Sequence, residues 1–160
     1  MCTVPALAHM LFSKSKVYLI AVAVMAWVLP AFAELGGDVT TIQADQEHMK
    51  GSRQVTTTAT YSVHEIKAAT GTKVREFVSP TGKVFAVAWQ GPSTPDLRQL
   101  LGQYFDQYAQ AIQSKRAGRA PVSIQQPGLV VEAGGRMRSF SGRAYLPQMM
   151  PEGVATASLQ

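Results

Sequence analysis

The pattern of apolar and polar positions changes period several times along the chain, and each change predicts an element. Over residues 54–68 the two alternate: Val55, Thr57, Ala59, Tyr61 and Val63 share one face, while Thr56, Thr58, Thr60, Ser62 and His64 share the other. A period of two belongs to a strand with one wet face. Ala69-Thr70-Gly71-Thr72 turns the chain, and alternation resumes over 73–79. In Ser79-Pro80-Thr81-Gly82-Lys83 the proline pre-sets the backbone, and the glycine is free to take the positive φ that closes a bulged hairpin. Every position over 84–89, ending in Trp89, is apolar. That strand is expected at the centre of the sheet, covered on both faces.

After Gly91-Pro92 the period becomes helical. Thr94 is placed to cap, Pro95 suits the first helical position, and Asp96 sits where the helix dipole favours negative charge. Leu97, Leu100, Leu101, Tyr104, Phe105, Tyr108 and Ile112 form one apolar stripe, with Gly102 inside the run and Gly118 as its stop. The spacing predicts one long amphipathic helix over 95–116, docked by burial of its stripe at roughly 1.5–3 kcal/mol per side chain before entropy. A short N-terminal helix is predicted upstream, capped by Asp38, with Val39, Ile42, Gln46 and Met49 at helical spacing and Gly51 as its end. Residues 129–133 and 136–146 read as strands joined at Gly134-Gly135.

The expectation is a single α+β domain over 34–150: an antiparallel sheet of about five strands with the long helix packed on it. The second face of the central strand then needs a cover, supplied by the short helix or by a partner. Residues 151–160 show no period and are expected to form a loosely held tail.

Residues 1–33 stand apart. Lys14 and Lys16 precede an uncharged apolar run over 17–29, Pro30 ends it, and Ala31-Phe32-Ala33 has the small-x-small form of a signal-peptidase site. Cleavage after Ala33 is expected, releasing a periplasmic or secreted chain from Glu34. The alternative is a retained anchor, because 17–33 is uncharged and at the low edge of the roughly 17–25 residues a spanning helix needs. The one cysteine, Cys2, lies in this segment. A chain cleaved after Ala33 has no disulfide, thiolate metal site or cysteine nucleophile.

The whole chain carries 15 basic and 10 acidic residues, so loss of Lys14 and Lys16 leaves a mildly positive domain. Its cations are unevenly placed. Lys115, Arg116, Arg119, Arg136, Arg138 and Arg143 stand against the single acid Glu132 in that stretch. A turn after the helix would bring Lys115, Arg116 and Arg119 near Arg136 and Arg138. Such a surface suits an anionic envelope component or an acidic partner protein, the bland reading being solvated charge. Nucleic acid is not expected at so small a net charge.

Catalytic signatures fail on spacing. Gly82-Lys83 lacks the glycine and the Ser/Thr of a phosphate-binding loop, since Phe77 and Val84 stand there. The serines of Ser139-Phe140-Ser141-Gly142-Arg143 are not a hydrolase elbow, because Met137 and Arg143 occupy glycine positions. His64-Glu65 lacks a second histidine four residues on, and Asp45 with His48 offers too few ligands for a metal. No cofactor or metal is expected. Tyr104, Phe105 and Tyr108 read as core. Trp89 reads as core or hinge packing at the strand end, the other reading being a pocket aromatic.

Three stretches, Leu35-Gly36-Gly37-Asp38, residues 74–108 and residues 121–147, are long and unusual in wording. Together they resemble a family of exported proteobacterial proteins known as domain of unknown function 2844. The resemblance covers residues 34–150 and implies a protein of the Gram-negative envelope. It brings no catalytic residues. The function expected is therefore non-enzymatic binding or accessory work in the envelope. The alternatives are a small hydrolase or metal-dependent enzyme using His48 or His64, and a structural subunit assembled by strand addition along the threonine-rich strand.

Overall fold

The structure, a computed structural model, describes residues 34–114 and 121–160. One antiparallel sheet contains β1 (Ser52–Thr57), β2 (Ser62–Lys67), β3 (Lys73–Val78), β4 (Val84–Gly91), β5 (Val122–Gln126), β6 (Leu129–Arg136) and β7 (Ser139–Tyr145), in the order β1-β2-β3-β4-β7-β6-β5. β1 to β4 form one meander and β5 to β7 a second, and the two join where β7 pairs with β4. β4 is thus central, and its positions 84–89 are all buried. Among the described residues no helix is long and apolar enough to cross a membrane.

Three helices, α1 (Ile42–His48), α2 (Leu97–Leu101) and α3 (Phe105–Ser114), lie on one side. Ile42, Leu100, Leu101 and Tyr108 meet Val74, Val87 and Trp89 of the sheet there. On the other side Phe77, Phe85, Ala86 and Ala88 form a smaller core with Leu159. The cover for β4's second face is thus the last segment of the chain. α1 packs with the other helices instead. Residues 151–160 are not a loose tail: Leu159 is fully buried.

The sheet has seven strands where about five were expected. The alternating run 54–68 is two strands, because the chain reverses between Thr57 and Ser62. Thr58 closes that turn: its N–H and its hydroxyl both donate to the Tyr61 carbonyl, at 2.9 and 2.7 Å. A threonine side chain does what Gly or Asn usually does in a turn, so no punctuation interrupts the alternation. β5 escaped notice because only Val122 and Ile124 break an otherwise polar stretch.

The long helix is broken at Gly102, which has φ +50, and a 3-10 turn (Gly102–Tyr104) separates α2 from α3. A Cβ at Gly102 would collide with the Glu34 side chain. Glu34 Oε2 accepts a hydrogen bond from Gln103 N at 3.1 Å, capping the second helical segment. The cap of α2 is Asp96 and not Thr94, with Asp96 Oδ1 accepting from Arg98 N at 2.9 Å and Gln99 N at 3.3 Å. The expected helix end at Arg116 lies outside the described residues. The β6–β7 turn falls at Met137-Arg138, with Arg138 at φ +64, rather than at Gly134-Gly135. Gly135 instead allows close cross-strand approach, since a Cβ there would lie 2.7 Å from Phe140 Cα.

Candidate functional site

Successive side chains of a strand point to opposite faces, so the register sets one residue per strand in a row across the sheet. On the face away from the helices one such row reads Glu65, Arg75, Ala88, Arg143, Glu132 from β2 to β6. It is near-symmetric about Ala88. Arg75 Nε donates to Glu65 Oε2 at 2.7 Å, and Arg143 Nε donates to Glu132 Oε2 at 2.8 Å. The Arg75 bond, then the guanidinium charge and Lys73, hold the Glu65 carboxyl below its usual range, against a smaller opposing effect of burial. Arg143 is 23 % exposed and Arg75 31 %, so these pairs are better shielded than ordinary surface ion pairs.

Each guanidinium has a second task. Arg143 Nη1 donates to the Thr156 carbonyl at 2.6 Å, and Arg75 Nη1 donates to the main-chain oxygen of Gln160. Between these two points Leu159 enters the small apolar core beside Ala88. The segment 156–160 therefore crosses the central strands as a strap. To one side of it lies a groove of about 570 Å³ reached by Lys73, Gln90, Ser141, Gly134 and Ser123. To the other lies a hollow of about 300 Å³ against Tyr61, Val63 and Phe77. Arg75 and Gln160 line both.

A second feature lies inside the helix-side core. Asp45 of α1 and Glu76 of β3 are both buried, at 0 % and 1 % exposure. The Gln99 side-chain amide donates to Asp45 Oδ1, which leaves Asp45 Oδ2 and both Glu76 oxygens without a donor. Buried acceptors in that state require a proton between them. Burial, and then the Asp45 charge, raise Glu76 well above the usual carboxyl range. Burial also pushes Asp45 up to about 6, against the hydrogen bonds from Glu76 and Gln99. The two titrate as one unit. His64 lies across from Glu76 on β2, and burial, then Arg53, lower its pKa. Both acids are enclosed in the helix-side core. Among the described residues no group of three or more His, Cys, Asp or Glu is placed to hold a metal ion.

The chain matches the model of the family described as "Protein of unknown function (DUF2844)" over residues 31–159. It belongs to this family. No curated protein and no solved structure matches it.

In this DUF2844 chain the described residues among those singled out from sequence for a ligand surface or pocket are Trp89, Arg136 and Arg138. Lys115, Arg116 and Arg119 lie outside the described residues. Arg136 and Arg138 are exposed at the β6–β7 turn. Arg136 follows Glu132 and Gly134 by strand alternation, which sets it on the groove's face at the open end. Trp89 is 4 % exposed and belongs to the helix-side core, and it also contributes to the groove floor opposite Gly142. Asp45 and His48 do not act together, since Asp45 is turned inward and His48 is exposed. Glu65, Arg75, Glu132 and the strap were missed as a site. Their signal was a Glu and an Arg at matching strand positions, legible only once the register was known.

Proposed function

We propose that this chain is an exported, non-enzymatic binding protein of the bacterial envelope, and that its ligand site is the groove on the open face of the sheet. The observation that carries the reading is the groove itself: about 570 Å³, with Lys73, Arg75, Arg143 and Glu132 around a floor of small residues, the arginines keeping Nη donors beyond their glutamate pairs. Arg136 at its open end adds a further cation, which suits an acidic or carbonyl-rich ligand. Export is supported by the signal-like layout of residues 1–33 and by a family match that begins at residue 31, beside the expected cleavage point.

Photo-crosslinking in cells tests binding and export together. A benzoylphenylalanine at Ser141, exposed in the groove, is compared with one at Thr60, exposed in the β1–β2 turn. Adducts from position 141 alone, in the envelope fraction and on a chain beginning at Glu34, are the expected outcome. Equal adducts from both positions, or a cytoplasmic chain retaining Met1, would overturn it. Stoichiometric zinc in the natively purified protein would favour the metal-dependent enzyme using His48 or His64. Strand addition has one supporting observation: β1 is an edge strand exposed at all six positions, Val55 being 49 % exposed. Concentration-dependent sedimentation abolished by Val55→Lys would favour that assembly instead.

A further inference from the structure

We propose that residues 156–160 are a displaceable plug in a peptide-binding trench, and that the trench takes an extended segment of another polypeptide in their place. This rests on the reading of the open face as a ligand site and names the ligand's class. Such a segment would set an aliphatic side chain in the Leu159 socket and give its main-chain carbonyls to Arg75 and Arg143.

The strap shows what the site recognises. Its contacts with the two arginines are made through main-chain oxygens, of Thr156 and Gln160, rather than through side chains. One side chain, Leu159, supplies the selective contact by entering the apolar socket of Phe77, Phe85, Ala86 and Ala88. The arginines are oriented for this by Glu65 and Glu132, which occupy their Nε donors and leave Nη1 directed at the strap. A socket for one aliphatic group between two carbonyl-binding guanidiniums is a recognition unit for an extended chain.

The strap is also lightly held. Its own bonded N–H groups are satisfied locally, Ser158 N by Ala155 O at 3.0 Å and Leu159 N by Thr156 O at 3.2 Å, with no ladder to the sheet. Residues 155–158 and 160 are exposed. Two cavities lie on either side of it and share Arg75 and Gln160 in their walls, so lifting the strap joins them. The joined trench runs from Tyr61 and Val63 to Ser141 and Ser123, longer than the five residues that now occupy its middle. A longer peptide would add contacts at both ends that the strap does not make, including Lys73 and, at the open end, Arg136. That difference in contacts is what allows a ligand to displace a tethered competitor, whose effective concentration is roughly millimolar.

The test uses the full chain and a labelled, C-terminally amidated peptide with the sequence of residues 151–160. In the wild type the tethered copy competes, and binding read by fluorescence anisotropy should be weak. Leu159→Ser in the full chain empties the socket, and apparent affinity for the peptide should rise about tenfold or more. A peptide carrying serine in place of its leucine should lose that gain. So should Leu159→Ser combined with Arg143→Gln. Should Leu159→Ser fail to fold, hydrogen exchange on the wild type decides: saturating peptide should deprotect the chain's own Ser158 and Leu159 amides, where an unrelated ligand would leave them unchanged. No affinity gain in a folded Leu159→Ser, or unchanged exchange at those amides, overturns the proposal. Crosslinks from Ser141 without peptide binding would leave the groove a ligand site and sink only the peptide.

Discussion

Replacing Glu76 by glutamine tests whether the buried pair with Asp45 carries a proton. In the native state Asp45 has its pKa pushed up to about 6 from 3.8, chiefly by burial, and burial also raises Glu76 well above 4.5. A carboxyl whose folded pKa exceeds its unfolded one binds more protons in the native state, so stability falls as pH rises between the two values. For Asp45 that window runs from about 4 to about 6. The slope is about 1.4 kcal/mol per pH unit per proton, which gives roughly 2–3 kcal/mol lost across it. Glu76→Gln puts a permanent N–H where the shared proton was. The part of the loss set by the burial of Asp45 remains, whereas the part that begins above 4.5 because Glu76 is raised should disappear.

Other groups contribute in the opposite sense and must cancel. His64 has a lowered pKa, so its contribution to stability grows as pH rises to 6.5, and the lowered Asp38 and Glu65 contribute above their unfolded values. The charges acting on the pair, His48, Arg53 and Asp96, are also common to both proteins. Urea unfolding followed by Trp89 fluorescence at pH 4.5, 5, 6 and 7 therefore gives the pair's part as a difference between variant and wild type. That difference should shift in the variant's favour by roughly 2 kcal/mol from pH 4.5 to 7. A difference that stays flat would show that no proton is held. Asp45→Asn should flatten the profile in the same way, which separates the shared proton from an idiosyncrasy of one variant.

Gly142→Ala should destabilise by roughly 1–3 kcal/mol and shift Trp89 emission, because the new methyl would lie 2.3 Å from Trp89 Cζ2. An unchanged melting curve would refute the close approach. Gly102→Ala should cost at least about 1 kcal/mol, since φ is +50 there and the methyl would displace Glu34. Glu34→Ala in the same chain should recover part of that loss, and an equal loss in both backgrounds would exclude the contact. Asp96→Ala removes the cap of α2 and should cost about 1 kcal/mol in urea unfolding, whereas Thr94→Ala should be near neutral.

The parts of the fold legible in the sequence were those in which one residue type has one use. An apolar run over 84–89 can only be a strand covered on both faces, and β4 is buried at each of those positions. The α+β class followed from the same periods. Elements were misjudged where a residue has two uses. Gly102 can weaken a helix or break it, and the choice was made by Glu34, far away in sequence. Thr58 can continue a strand or close a turn, and it closes one. Gly134-Gly135 can turn a hairpin or let strands approach, and here the turn moved on to Met137-Arg138.

The site was less legible than the fold for a related physical reason. Glu65 precedes Arg75 by ten residues and Glu132 precedes Arg143 by eleven, separations that carry no chemistry until pairing sets them side by side. Read along the chain, the arginines form a cationic cluster after the helix. Read across the sheet, Arg143 leaves that cluster and joins Arg75, each neutralised by its own glutamate and each with a donor to spare. Charge counting along the chain thus noted Arg143 without its pairing to Glu132. The segment 151–160 looked loose because it has no period, yet a strap needs none: Leu159, Val154 and two main-chain oxygens hold it, and the same economy makes it replaceable.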